Sequence, residues 1–200
     1  VSSANDVYAY NLTAGTESVL LATSLGATAD IAHTSTKLWV NNSSSTVKEY
    51  DITLSPFTIS FNRNITVSGG LGTGLSSTSS NTTLISSDGG NTLTSLDITT
   101  DNAVVTDIFD FQTNHVISGD IIFTNDDKYI ITTKRTTDNN YFVSQYSNTG
   151  TLEFEINLTG TITNPYGAFM QDGEIYVCGN ANEIWHINTV DPYALTQTGT

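Results

Sequence analysis

Four short β-prone runs recur along the chain at a nearly constant interval, and this recurrence constrains the fold more than any other feature. The runs place Trp39, Ile85, Ile130 and Tyr176 at intervals of 46, 45 and 46 residues. A fixed period of this length is typical of repeat architectures, in which each repeat is one supersecondary unit. The sequence therefore predicts an array of similar units.

Each period contains four short strands separated by turns rich in Gly, Asn, Asp and Ser. In the last period the strands are predicted around 167–170, 174–177, 184–187 and 194–195. No segment keeps the apolar spacing of a helix over three turns, so an all-β chain is expected. Each unit is predicted to be a four-stranded antiparallel meander.

Units with this strand number and period resemble the blades of a β-propeller, and the resemblance covers essentially the whole chain. It implies four full blades and a half blade. The half blade is predicted at about 5–25, and the blades at about 27–66, 73–110, 118–158 and 165–198. A β-sandwich is the alternative fold.

The finer pattern of the repeats indicates which propellers they resemble. An aliphatic second strand and a third strand of the type Tyr50-Asp51-Ile52-Thr53 are similar to the divergent propellers of phage virion proteins and bacterial surface proteins. Neither the Trp-Asp ends of WD repeats nor a kelch double glycine in register is present. The resemblance implies a location on a virion, outside the cell or at the cell surface.

The predicted strands leave the ring half a blade short. Because an open sheet edge promotes aggregation, propellers usually close by completing one blade from both chain ends. We expect the two missing strands to lie outside these 200 residues or on a neighbouring subunit. Other subunits or flanking domains of a longer chain are therefore the predicted partners.

The composition excludes several classes of partner. Six Lys and Arg residues against 20 Asp and Glu residues give a net charge of −14, which disfavours nucleic acid and anionic membranes. No apolar run approaches the roughly 20 residues that a membrane helix needs, so membrane insertion is not expected. The single cysteine, Cys178, lies in an apolar run and is interpreted as a buried structural thiol.

Candidate ligand-binding residues come from the loops that a propeller gathers at one face. These loops join the fourth strand of one unit to the first of the next, and the second strand to the third. Their carboxylates, a histidine and two aromatic side chains are the groups best suited to contact a ligand. The candidates are Asp30, His115, Asp120, Asp138, Tyr141 and Tyr166.

No catalytic residue, metal ligand or cofactor is assigned. The spacing of His33, His115 and His186 does not require them to converge as a metal site would. Calcium could be held by loop carboxylates, but the alternating Asp spacing of a calcium loop is missing, so calcium is not indicated. A nucleophile elbow of the form Gly-x-Ser-x-Gly is also missing.

Two functions of different class follow. The first is a non-catalytic structural or interaction module with an adhesive role, which contacts neighbouring subunits or a glycan through its loop face. The second is a propeller enzyme acting on polysaccharide, a lyase or a glycosidase, that uses His115 with carboxylates among Asp30, Asp120 and Asp138. The sequence favours the module, and convergence of these groups in one deep pocket would favour the enzyme.

Overall fold

A computed structural model describes the chain over residues 2–3, 6–11, 16–22, 30–43, 45–54, 57–162, 164–165, 167–179, 183–189 and 194–199. All regular structure in these ranges is β-strand, as predicted. Strand His115–Phe123 illustrates why the chain forms strands. Buried and less buried residues alternate along most of it, as expected for a strand that packs one face against the protein interior.

The described residues between 2 and 22 form a three-stranded sheet, and those of the next two repeats form an eight-stranded sheet. The three-stranded sheet runs β1-β2-β3, and the eight-stranded sheet has the order β4-β5-β6-β7-β11-β10-β9-β8. The strands of the first sheet are β1 Ser2–Ser3, β2 Asp6–Asn11 and β3 Thr16–Ala22. Those of the second are β4 Asp30–His33, β5 Lys37–Ser43, β6 Thr46–Leu54, β7 Phe57–Val67, β8 Ser76–Ser77, β9 Thr83–Ser87, β10 Thr92–Asp97 and β11 Asn102–Asp110.

The last two repeats form two separate four-stranded antiparallel meanders, β12 to β15 and β16 to β19. The third repeat contains β12 His115–Phe123, β13 Tyr129–Arg135, β14 Tyr141–Tyr146 and β15 Leu152–Asn157. The fourth contains β16 Gly167–Gln171, β17 Glu174–Gly179, β18 Glu183–Asn188 and β19 Ala194–Gly199. We refer to β4–β7, β8–β11, β12–β15 and β16–β19 as units 1 to 4.

Units 1 and 2 differ from the prediction because their outermost strands are joined. A short parallel pairing sets Thr66 opposite Asn102 and Val67 opposite Ala103, and the Thr66 N–H donates to the Asp101 carbonyl at 2.8 Å. The sequence predicted two separate blades over 27–66 and 73–110, whereas the structure has one continuous sheet there. Within each of these units the other pairings are antiparallel, so the meander itself is as predicted.

Three hydrophobic clusters hold successive units together. Trp39 and Ile65 of unit 1 pack with Leu84 and Leu96 of unit 2. The next cluster joins units 2 and 3, and a third joins units 3 and 4. The first strands β4, β8, β12 and β16 contact one another in sequence order, so they lie around a common axis.

A glycine in a tight turn of unit 3 provides a local test of this packing. Gly150 has a φ of +82°, and a Cβ on it would lie 2.7 Å from Cγ of Phe109 in unit 2. Gly160 has nearly the same φ, +81°, but open space around its Cβ position. Because Ala is strained at positive φ, Gly160→Ala should lower the free energy of unfolding by about 1 kcal/mol.

Gly150→Ala should cost about 2 kcal/mol, since the methyl group must also displace the Phe109 ring. Chemical denaturation of the two variants measures the difference between them. Equal losses would contradict the close packing of unit 3 on unit 2 at this turn.

Candidate functional site

Two of the predicted carboxylates lie at equivalent positions along the first strands of units 1 and 3. Strand register places Asp30 of unit 1 and Asp120 of unit 3 at equivalent positions, and Gly74 and Gly167 at the same positions of units 2 and 4. The axis therefore receives two carboxyl side chains from units 1 and 3, with glycines between them.

Each carboxyl group bonds its own unit to the next one. The Leu75 N–H donates to Oδ2 of Asp30 at 2.6 Å, and the Ile31 N–H donates to Oδ1 at 2.7 Å. Asp120 accepts the Ile121 N–H at 2.8 Å and also the N–H of Ala168 in unit 4. The two side chains thus connect unit 1 to unit 2 and unit 3 to unit 4.

The two carboxyl groups are also hydrogen-bonded to each other. Burial raises the pKa of Asp30 well above its usual value, and the charge of Asp120 raises it further. Burial raises the pKa of Asp120 to about 6, although the hydrogen bond with Asp30 acts in the opposite direction. Two carboxyls in contact cannot both ionise without strong repulsion, so the pair retains a proton that Asp30 donates to Asp120.

The backbone at Asp120 is fixed by a buried threonine. Oγ1 of Thr132 accepts the Asp120 N–H at 2.6 Å and donates to the Asp120 carbonyl at 3.2 Å. These bonds occupy the interruption of the β12–β13 pairing between Ile117 and Ile121. A polar residue in the core thus holds the bulged strand that directs Asp120 toward the axis.

A cavity of about 410 Å³ extends along the axis from this pair. Its walls combine polar groups with apolar side chains, among them Leu75, Ile121 and Met170 from three different units. At the far end His33, Ser77 and Phe123 line both this cavity and a second, more polar one of about 480 Å³. Asp30 and Asp120, which we call the acid pair, therefore lie at one end of a channel. The other end of the channel reaches the hairpin turns between the first and second strands.

His115 lies away from the acid pair. It is 3% exposed, its Nδ1 is 3.1 Å from Oγ1 of Thr133, and its ring stacks on Phe142 at 5.1 Å. Burial lowers its pKa, which favours the neutral imidazole. This histidine does not join Asp30 and Asp120 at the axis.

The remaining candidates do not converge with the pair either. Asp138 is exposed in the turn after β13 and accepts hydrogen bonds from Arg135 at 3.0 and 3.1 Å. The hydroxyl of Tyr141 donates to Oδ1 of Asn164 at 2.9 Å. Tyr166 lies outside the described residues.

Sequence reasoning missed the polar channel end at the hairpin turns and the backbone partners of the acid pair. The alternation of Asp and Gly at the four equivalent positions was the available signal for the pair. Within the described ranges, no three His, Cys, Asp or Glu side chains are grouped to hold a metal ion. The same ranges contain no helix long and apolar enough to span a membrane.

Comparison with solved structures decides the fold. The β-propeller domain of Cps50 (Swd1) from Myceliophteria thermophila is similar with a TM-score of 0.57 and 11% identity, over 85% of this chain and 58% of that one. The chain has a β-propeller fold. The periplasmic gluconolactonase PpgL of Pseudomonas aeruginosa is a second similar structure, with a TM-score of 0.55 and 10% identity over 96% of this chain and 62% of that one.

The propeller is a divergent one. No protein-family model matches its sequence, and no curated protein matches it. It spans less than two thirds of the length of either solved structure. At these identities the likeness extends to the fold alone.

Proposed function

We propose that this propeller is a non-catalytic structural or interaction module, in which each four-stranded unit is one blade. It is exposed on a virion, an extracellular fibre or a cell surface, and it contacts neighbouring subunits or flanking domains. The observation that supports this proposal is the bonding of Asp30 and Asp120. These converging acidic groups bind backbone N–H groups of the next unit, which is a structural role.

The separation of the two carboxyls weighs against glycoside hydrolysis. Retaining enzymes place their carboxyls about 5–5.5 Å apart and inverting enzymes about 6.5–9.5 Å apart, which leaves room for the sugar or the water between them. The carboxyl groups of Asp30 and Asp120 bond directly to each other, an arrangement that matches neither spacing. His115, the acid–base partner expected for an enzyme, is stacked on Phe142 and not in the channel.

One observation nevertheless favours the second candidate, an enzyme acting on polysaccharide. Asp30 and Asp120 line one cavity, and raised carboxyl pKa values are common at catalytic sites. The gluconolactonase neighbour is named for an enzymatic activity, so the fold alone does not separate the two candidates. A measurement of substrate turnover separates the module from the enzyme.

The test incubates the wild-type protein, Asp120→Asn and the exposed control Asp138→Asn with neutral and uronic polysaccharides. Mass spectrometry and a reducing-end assay then detect hydrolysis or elimination products. The module predicts no product with any of the three proteins. Products from the wild type and from Asp138→Asn, but not from Asp120→Asn, would overturn the module and establish the enzyme.

A further inference from the structure

The channel end opposite the acid pair has the features of a ligand site. We call it the hairpin mouth and define it by its lining residues, which come from units 1, 2 and 3: His33, Thr34, Ser77, Thr78, Ser79, Phe123, Thr124, Asn125 and Asp127. Its volume of about 480 Å³ lies within the range of about 300–1,000 Å³ that is usual for small-molecule sites. It lies at the turns between the first and second strands, on the side of the propeller that the sequence analysis had not singled out.

The backbone of the mouth is held by short hydrogen bonds. Oγ of Ser77 donates to the His33 carbonyl at 2.6 Å, which ties unit 2 to unit 1. Oγ1 of Thr34 donates to Oδ1 of Asn81 at 2.7 Å across the same boundary. In unit 3, Oγ1 of Thr124 bonds to Asp126 at 2.6 Å and accepts the Lys128 N–H at 3.0 Å. The site is therefore preorganised and would lose little entropy on binding.

Other polar groups of the mouth are available to a ligand. The side chains of Ser79, Asn125 and Asp127 and the ring of exposed His33 form no hydrogen bond to any residue that the structure describes. They combine donors and acceptors around an opening whose inner wall contains the half-buried ring of Phe123. That ring is fixed by Tyr129, with centroids 5.2 Å apart.

The charge of the mouth restricts the ligand class. Asp127 is its one carboxylate, and no Lys or Arg is among its lining residues. The neighbouring ammonium group of Lys128 is already paired with Glu153 at 3.0 Å and Asp126 at 3.5 Å. A protein of net charge −14 without a cation at this site repels anionic ligands.

We propose that the hairpin mouth binds a neutral oligosaccharide. A sugar ring offers an apolar face to Phe123 and hydroxyl groups to Asn125, Asp127 and His33, and it brings no charge to bury. This inference rests on the proposed interaction module and names the ligand class that the module takes. It differs from the sequence prediction, which placed glycan contact at the loop face that holds the candidates Asp30, His115, Asp120, Asp138, Tyr141 and Tyr166.

The test is isothermal titration with neutral di- and tetrasaccharides built from glucose, galactose, mannose or N-acetylglucosamine, and with oligogalacturonate as the anionic comparison. Two mouth variants are used, Phe123→Leu and Asp127→Asn. The second keeps the side-chain size, and Asn tolerates the φ of +59° at this position. Tyr141→Phe and Asp138→Asn serve as controls in the loops at the other end of unit 3.

We expect at least one neutral saccharide to bind, both mouth variants to weaken it tenfold or more, and both controls to leave it unchanged. Thermal unfolding of each variant verifies that it is folded. Three results would overturn the proposal that the hairpin mouth binds a neutral oligosaccharide. These are that no neutral saccharide binds at millimolar concentration, that oligogalacturonate binds more tightly than every neutral saccharide, or that only the Tyr141 and Asp138 variants weaken binding. Each leaves the module standing, because the module fails only if products form in the turnover assay.

Discussion

Replacing Glu49 by glutamine is expected to lower the free energy of unfolding by about 3 kcal/mol at pH 7. Glu49 is 1% exposed and accepts hydrogen bonds from Lys37 at 2.9 Å, Trp39 at 3.0 Å and Arg63 at 3.2 Å. Arg63 in turn donates to the Ile98 carbonyl of unit 2 at 2.6 Å. Loss of the carboxylate leaves a guanidinium and an ammonium group without their buried partner, which typically costs 3–5 kcal/mol, or about 3 where an amide still accepts one bond.

The pH dependence of this contribution has a definite sign. Burial by itself would raise the pKa of Glu49, but the hydrogen bonds from Arg63, Lys37 and Trp39 outweigh it and lower the pKa from 4.5 to about 2. The folded state therefore binds this proton less tightly than the unfolded chain. The stabilisation is complete above about pH 4.5 and is lost as the pH falls toward 2.

Urea unfolding at pH 7 and at pH 3 measures both effects. The matched control is Asp51→Asn, because Asp51 also pairs with Lys37, at 2.7 Å, but its side chain is 50% exposed. Exposed ion pairs contribute little, so the control should lose less than about 1 kcal/mol. The proposed role of Glu49 is wrong if the two variants lose equal stability at pH 7, or if Glu49→Gln loses as much stability at pH 3 as at pH 7.

The second large effect concerns the acid pair at the axis. The folded pKa values of Asp30 and Asp120 are raised, so the folded state binds protons more tightly than the unfolded chain does. The stabilisation is present at about pH 4 and is lost as the pH rises through about 6, the pKa of Asp120. A shift of about two pKa units corresponds to about 3 kcal/mol.

Asp120→Asn is expected to remove most of this loss. The amide at position 120 does not titrate, and the repulsion that adds to the effect of burial on the pKa of Asp30 disappears with the charge. For each protein the measurement gives the change in unfolding free energy between pH 4.5 and pH 7.5. The change in the variant is subtracted from the change in the wild type. Because His115 and Glu49 contribute equally to both proteins, their effects cancel in this difference. The exposed control Asp107→Asn should keep the wild-type profile. Parallel profiles for wild type and Asp120→Asn would show that the two carboxyls do not share a proton.

The repeat period could be read from the sequence because it depends on local patterning. Trp39, Ile85 and Ile130 lie in successive second strands, and each packs into the cluster that joins its unit to the next. The joined sheet of units 1 and 2 could not be predicted. It depends on where the ends of β7 and β11 meet in space, which no local pattern encodes.

The candidate site could likewise be predicted only where it depends on local sequence. Asp30 and Asp120 were predicted because they lie in the connections from the fourth strand of one unit to the first strand of the next. Their contact across the axis depends on how the units are arranged around it. Glu49 was missed, since it lies in the polar run Lys48-Glu49 that is typical of an exposed strand. It is buried because it stands directly opposite Trp39 on the face that packs against unit 2.

Hydrogen exchange at two backbone amides tests the central claim, that the acid pair joins the units and is not a free catalytic pair. The account predicts that the Leu75 and Ala168 amides exchange as slowly as the core strand amides, because each donates to a carboxyl of the preceding unit. Exchange as fast as that of exposed hairpin amides would contradict it. The carboxyls would then be free of the backbone and available for chemistry.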